Sequence, residues 1–193
     1  MRTIILTRHT ASKVRRIAED GAILLFTADY GCNDCEEFEE MLPEELSMVI
    51  DYKVIVTHED ESVTEALNMG VETIPQIWVG KKKIDHTNIQ ELLEAFKNEV
   101  EPIIQLAKEL KTLFNDHAEE LKRKYGWNVK VDEKVAIQIA KRMLKYGKAY
   151  CPCRVELKYE NICPCIHHID ELRKYGKCRC GLFTIQVDIK ANI

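Results

Sequence analysis

The hydrophobic pattern divides the chain into an alternating first half and a helical second half. Residues 3–6 are a short apolar run that predicts a strand, and residues 12–19 have the spacing of a short helix. Residues 22–27 form an apolar, partly β-branched run bounded by Gly21 and Asp29, which predicts a second strand. Residues 32–49 then repeat apolar positions at helical spacing, with Phe38, Met41, Leu42 and Leu46 on one buried face. A third strand is expected over 53–57 and a helix over 62–69, stopped by Gly70. Residues 75–79 and 82–85 predict a hairpin around Gly80-Lys81, with Trp78 packed in the core and lysines 81–83 in a solvated turn. From Ile89 onward Leu92, Leu93, Phe96 and Val100 recur at helical spacing. This order of elements implies an α/β domain, a compact mixed sheet flanked by helices.

Glu101-Pro102 marks the expected seam between a domain over 1–100 and a second over 101–193. Proline is accepted in the first turn of a helix but not in its interior, so a new helix is expected to begin there. Residues 103–125 are strongly periodic, Asp132 is placed to cap a helix containing Val135, Ile139 and Met143, and a short helix fits 166–175. Trp127 is expected to pack this domain. No strand signal, internal repeat or low-complexity tract is visible, so the second domain reads as small and mainly α-helical.

Composition narrows the class. A chain of 193 residues, 46% hydrophobic and 31% charged, has the material for two small folded domains. The N-terminus shows no basic-then-apolar leader, and no apolar run reaches membrane-spanning length. A cytoplasmic protein with no membrane partner is expected, and in that compartment paired cysteines mean metal or redox chemistry more often than structural staples. The formal net charge of -4 is unevenly spread. Residues 1–99 carry 10 Lys+Arg against 20 Asp+Glu, and residues 100–193 carry 18 against 12. A basic cysteine-rich half suits an acidic partner, while the bland reading is a solvated surface. No basic surface with interleaved aromatics is present, so no nucleic-acid partner is expected.

The eight cysteines are all paired in sequence. Cys32-Asn-Asp-Cys35 is a C-x-x-C, and Cys151-Pro-Cys153, Cys163-Pro-Cys165 and Cys178-Arg-Cys180 are three C-x-C pairs. Four sulfurs can hold one iron–sulfur cluster or one zinc, so the last six would leave two thiols spare. Residues i and i+2 point the same way in an extended stretch, whereas a turn aims them apart. Pro152 and Pro164 push Cys151 and Cys163 toward extended conformations. Each pair can therefore offer two sulfurs to a metal, or one to the metal and one to solvent. Spacing alone does not choose among the ways of taking four ligands from six, although zinc sites more often use C-x-x-C.

Cys32–Cys35 lies where a strand ends and a helix begins. The helix N-terminus there stabilises a thiolate on the exposed first cysteine, and the second is one turn along, able to close a disulfide on an incoming mixed disulfide. Some 40 residues later stands Thr73-Ile74-Pro75-Gln76-Ile77-Trp78-Val79-Gly80. Together these motifs resemble the glutaredoxin and thioredoxin family over roughly residues 1–100, which implies a thioredoxin-like fold with the dithiol packed against a cis-proline loop at Pro75. The chain departs from the family at Asn33-Asp34 between the cysteines, and it has Asp85-His86 where glutaredoxins carry a Gly-Gly pair for glutathione. Six carboxylates (Glu36, Glu37, Glu39, Glu40, Glu44 and Glu45) follow the dithiol and oppose thiolate formation. Half of a zinc site is the competing reading of this C-x-x-C.

The three C-x-C pairs, with Arg154 after the first and Gly181-Leu182-Phe183 after the third, resemble the catalytic subunit of ferredoxin:thioredoxin reductase over about residues 115–190. The resemblance implies a [4Fe-4S] cluster held by Cys151, Cys163, Cys165 and Cys178. It leaves Cys153 and Cys180 as the active disulfide, with Cys153 exchanging with substrate and Cys180 facing the cluster. Nine residues separate the first two pairs and twelve the second and third, unlike the plant-type enzyme. Arg179 stands where that enzyme has histidine, which makes His167 and His168 the candidates for its proton-handling role, or simply polar surface. The two resemblances together imply a ferredoxin-dependent disulfide reductase. Ferredoxin, or a similar one-electron donor, reduces the cluster and Cys153–Cys180, these reduce Cys32–Cys35, and that dithiol reduces disulfides of target proteins. The alternative is a thiol–disulfide oxidoreductase whose second domain holds structural zinc or a non-catalytic cluster.

Overall fold

The computed structural model describes residues 1–84 and 86–186. The chain divides into two compact units, Met1–Glu101 and Pro102–Ile193. In the first, β1 (Arg2–Ile5), α1 (Arg8–Glu19), β2 (Ile23–Ala28), α2 (Asn33–Met41), α3 (Glu44–Val49), β3 (Tyr52–Val56), α4 (Asp60–Met69), β4 (Gln76–Val79) and β5 (Lys82–Lys83) follow one another. The strands make one mixed sheet in the order β1-β3-β2-β4-β5. β1 and β2 run parallel to β3, whereas β4 is antiparallel to both β2 and β5. This is the thioredoxin-like architecture, a mixed sheet flanked by helices.

The alternation of side chains along each strand builds two buried faces. Leu24, Phe26, Val54 and Trp78 join Val14 of α1 and Ala66 of α4 in one core. Ile23, Leu25 and Ile77 alternate to the opposite face and are also buried. Phe38 of α2, Leu46 and Val49 of α3, and Leu92 and Phe96 farther on are among the buried helical side chains outside the first core.

Several local signals act differently from expectation. α1 starts earlier than its periodicity suggests, because the Thr10 hydroxyl accepts a 2.8 Å hydrogen bond from the Thr7 N–H and caps the first turn. The single helix expected over 32–49 is two. Pro43 disfavours the α conformation at Leu42, which is extended (φ -69, ψ 113), and Met41 is left exposed while Phe38 and Leu46 are buried. Gly70 ends α4 in the left-handed conformation at φ 77, as expected of it. The hairpin forms with Val79 opposite Lys82, and Asp85 lies outside the described residues. Its lysines are not merely solvated: Lys81 pairs with Glu19 at 3.2 Å, Lys82 with Glu99, and Lys83 Nζ donates to the Gly70 carbonyl at 2.7 Å.

α5 (Ile89–Tyr125) crosses the seam as one helix, so no new helix begins at Pro102. Proline inside a helix costs about 3 kcal/mol because it removes a donor and crowds the preceding turn. Val100 and Ile104 on either side of it belong to an unbroken buried stripe, whose packing offsets that cost. The second unit continues with β6 (Val129–Val131), α6 (Glu133–Tyr146), a single helical turn at Tyr159–Asn161, α7 (His168–Tyr175) and β7 (Phe183–Ile185). Asp132 caps α6 as anticipated, its Oδ1 accepting from the Val135 N–H at 2.9 Å. Trp127 stacks on Tyr125 with ring centroids 4.5 Å apart. The unit is mainly helical, but β6 and β7 pair antiparallel, a ribbon that the sequence pattern did not signal.

Phe26 is fully buried, with its ring centroid 4.9 Å from that of Trp78. Phe26→Ala is expected to lower the stability of the first unit by about 3–5 kcal/mol, the usual cost of an aromatic-sized core cavity. Urea unfolding followed by Trp78 fluorescence, in a Trp127→Phe background, measures it.

Candidate functional site

In the first unit the parallel strands β2 and β3 end on the same edge of the sheet, with Ala28 in register with Val56. The segments that follow, Asp29–Asn33 and Thr57–Glu59, therefore meet there, in the crevice beyond the carboxyl ends of parallel strands. Cys32 is the N-cap of α2, and its Sγ accepts a hydrogen bond from the Cys35 N–H at 3.2 Å. The two cysteines are joined as a disulfide; Cys35 is buried and Cys32 is part-exposed. Cys32 Sγ lies 3.9 Å from the carbonyl oxygen of Ile74, which precedes Pro75 across a cis peptide bond. The dithiol and the proline loop are thus brought together. A cavity of about 380 Å³ opens beside Cys32, lined also by Tyr30, Asp34, His58 and Ile74. A second is lined by both cysteines and by Glu39, Glu40 and Lys53, and Glu39 pairs with Lys53 at 2.5 Å.

One part of this site was not legible in sequence. His58 Nδ1 is 2.7 Å from Asp29 Oδ1, and the Tyr30 ring stacks on the imidazole at 4.0 Å with 18° between planes. These residues are 28 and 29 positions apart and carry no shared motif; parallel strand pairing alone brings them together.

The second site is assembled by backbone. The Cys151 N–H donates to the Asn161 carbonyl and the Cys163 N–H to the Ala149 carbonyl, both at 2.8 Å, which clamps the first pair against the second. The Cys178 N–H donates to the Phe183 carbonyl at 3.0 Å, and the Phe183 N–H reaches Cys178 Sγ at 3.3 Å, which fixes the third pair on β7. Sγ of Cys151 and Cys153 are 3.2 Å apart, and those of Cys178 and Cys180 are 3.6 Å apart. The sulfurs of Cys151, Cys153 and Cys180 all lie within 4.8 Å of one another. Cys163 and Cys165 both hydrogen bond to Cys151. All six thiols are free. Burial separates them: Cys151, Cys163, Cys165 and Cys178 are at most 9% exposed, while Cys153 and Cys180 are partly open.

This crowding tests whether a metal centre suits the residues. The Cys163 thiol is pushed well above its ordinary value by its hydrogen bond with Cys151 and by burial, and Cys165 is raised for the same reasons. Cys178 is lowered to about 6 by the Cys180 thiol and by the N–H groups of Phe183 and Gly181. Thiolates cannot accumulate in so small a volume without positive charge. A soft cationic centre supplies that charge and selects sulfur ligands, so the donor set fits. The cysteines expected to ligate are the four buried ones, although the tightest trio of sulfurs contains only Cys151 of that set.

Residues 99–192 match the family model described as ferredoxin thioredoxin reductase catalytic beta chain. The chain joins a thioredoxin-like domain to a catalytic-beta-chain-like one. Among solved structures, thioredoxin O2 from Arabidopsis thaliana in the oxidised state is similar at 17% identity, covering 51% of this chain and 93% of its own, with a TM-score of 0.38. No curated protein matches the sequence. The beta-chain-like match and the thioredoxin-like topology support disulfide-reductase chemistry.

Within the beta-chain-like domain the two candidate histidines differ. His167 is exposed, and its backbone N–H serves Cys165. His168 is half-buried, and burial holds its imidazole below the ordinary value. Its Nδ1 is 2.5 Å from the Cys165 carbonyl, which only accepts, so this nitrogen carries a proton. Its Nε2 lies 2.9 Å from Nε2 of His117, a residue the sequence reading did not single out, whose Nδ1 is 3.3 Å from Glu120 Oε2. Arg179 meets the site through its backbone, whose N–H donates to Glu171 Oε2 at 2.7 Å. Glu171 Oε1 accepts from Arg154 Nη2 at 2.5 Å. One carboxylate thus ties the loop after Cys153 to the loop between Cys178 and Cys180. Among the described residues, no helix is long and apolar enough to cross a membrane.

Glu171→Ala is expected to destabilise the second unit by about 2–3 kcal/mol, because it strands the poorly exposed Arg154 guanidinium and frees the third loop. Chemical denaturation followed by far-UV circular dichroism checks this, with Glu171→Gln falling in between.

Proposed function

We propose that the chain is a ferredoxin-dependent disulfide reductase that converts single-electron deliveries into dithiols. The observation that carries this reading is the division of the six C-terminal thiols into four buried and two partly open, within a segment matching the catalytic beta chain. Cys151, Cys163, Cys165 and Cys178 hold a [4Fe-4S] cluster, and Cys153 and Cys180 are the working dithiol. The cluster, when bound, supplies electrons one at a time at the sulfur pair, which needs two electrons and two protons to open. Buried loops held by backbone hydrogen bonds keep water from the four ligands, while partial exposure leaves Cys153 open to exchange.

Cys153 as thiolate attacks Cys32 of the Cys32–Cys35 disulfide, forming a Cys153–Cys32 mixed disulfide and releasing Cys35 as thiolate. Cys180 then attacks Cys153, which closes Cys153–Cys180 and frees Cys32. Joining both partners in one chain makes this exchange intramolecular, at an effective concentration on the order of millimolar. The reduced Cys32–Cys35 pair passes its electrons to a target protein disulfide by the same chemistry. Ferredoxin, or a similar one-electron carrier, is the donor, and cytoplasm the setting. A second reading, structural zinc, draws on the close trio of Cys151, Cys153 and Cys180 sulfurs.

Anaerobically purified protein is expected to contain four irons and four sulfides per chain. Cys→Ala at 151, 163, 165 or 178 lowers iron to background, whereas Cys153→Ala and Cys180→Ala keep it. Zinc in place of iron, or iron lost equally from all six variants, overturns the cluster assignment. Cys153→Ser is expected to abolish ferredoxin-driven reduction of Cys32–Cys35 while leaving its reduction by dithiothreitol intact. A normal ferredoxin-driven rate in that variant overturns the order of transfer.

A further inference from the structure

The geometry points to His58, oriented by Asp29, as the proton acceptor and donor for Cys32. The inference rests on the reading of Cys32–Cys35 as a redox dithiol, and not on the cluster or on ferredoxin. The Asp29 carboxylate accepts at 2.7 Å, so His58 Nδ1 carries a proton and Nε2 of the neutral ring is a free acceptor. That nitrogen lies 4.0 Å from where a Cβ on Gly31 would stand, next to Cys32 in the chain. His58 and Cys32 line the same cavity of about 380 Å³, and Tyr30 stacked on the imidazole limits its rotation. A carboxylate on Nδ1, an available Nε2 and a sulfur across a small cavity are the parts of a nucleophile–base–orienter arrangement.

The first turn of α2 explains why such a group is useful. Asp34 and Glu36 sit there, and Glu37, Glu39 and Glu40 follow, so the helix dipole is opposed and the Cys32 thiolate loses support. Asp34 also lines the cavity, and Glu59 and Asp60 flank His58 in sequence. An imidazolium on His58, balanced by Asp29, puts positive charge where those carboxylates take it away.

In the reduced site, Nε2 takes the proton of Cys32, and the thiolate attacks one sulfur of the substrate disulfide. The substrate S–S bond breaks, a Cys32–substrate disulfide forms, and the departing thiolate receives the proton from His58. Cys35 then gives its proton to solvent and attacks Cys32, the Cys32–Cys35 bond closes, and the second substrate thiolate leaves to be protonated by solvent. The substrate disulfide gains two electrons and the dithiol loses two.

The test uses the full chain reduced with dithiothreitol, freed of reductant, and labelled with iodoacetamide from pH 5 to 9. Mass spectrometry of the Cys32 peptide gives the rate. His58→Gln is expected to slow labelling at pH 7 about tenfold, the loss of thiolate that accompanies a one-unit rise toward the ordinary cysteine value, and to erase the imidazole's inflection from the pH profile. Asp29→Asn gives a smaller loss with the inflection moved to lower pH, since the imidazolium loses its counter-charge. Equal rates and an unchanged profile in His58→Gln overturn the assignment. Should that variant fail to fold, Asp29→Asn decides alone, an unshifted profile again overturning it. Because dithiothreitol supplies the electrons, a chain that refuses electrons from ferredoxin leaves this measurement unaffected.

Discussion

Gathering six sulfur atoms into one small volume is the constraint around which the second unit is built. A thiol in a buried, sulfur-lined environment resists ionising, and each thiolate formed makes the next more costly. The surroundings act unevenly: Cys178, served by two backbone N–H groups and a neighbouring thiol, is drawn toward the anion, while Cys163 and Cys165 are pushed away from it by the Cys151 thiol and by burial. Such a set is poised for a cationic partner, and the loops are fixed by backbone pairing and by Glu171 rather than by the sulfurs themselves.

The first unit meets a related difficulty by other means. Its disulfide sits at a helix N-terminus, normally enough to favour a thiolate, yet the same helix carries a run of carboxylates. The compensating groups come from the sheet. Parallel pairing of β2 with β3 delivers Asp29 and His58 to one edge, and the loop before β4 delivers Ile74 and Pro75. Strand direction, not sequence proximity, determines which side chains share the crevice.

The elements that announced themselves in the sequence are those with enough length to show a period. β2, α4, α6 and the helix beginning at Ile89 fall in this class, as do the caps at Asp132 and Gly70. The misreadings have local causes. Leu42 and Met41 fit a helical stripe that Pro43 then broke, and Pro102 looked like a beginning because its ring usually is one, although the stripe through Val100 and Ile104 continues past it. Three-residue strands such as β6 and β7 are too short for alternation to register. The cysteine motifs drew attention to themselves, whereas His117, Glu171 and the Asp29–His58 pair did not. Each of these gains its meaning from a partner far along the chain, at separations of 51, 17 and 29 positions.

The ribbon of β6 and β7 also sets an order of events. Val129 pairs with Ile185 and Val131 with Phe183, contacts that close loops of more than fifty residues. Helices α6 and α7 nucleate from neighbours, but ribbon pairing must first overcome chain entropy. Cys178 depends on Phe183 for both its backbone and its sulfur contacts, so the last cysteine pair settles after the helices on either side of the first two. The side of the cysteine cluster that carries Cys178 is thus the one whose closure depends on the most distant strand pairing in the chain order of the second unit.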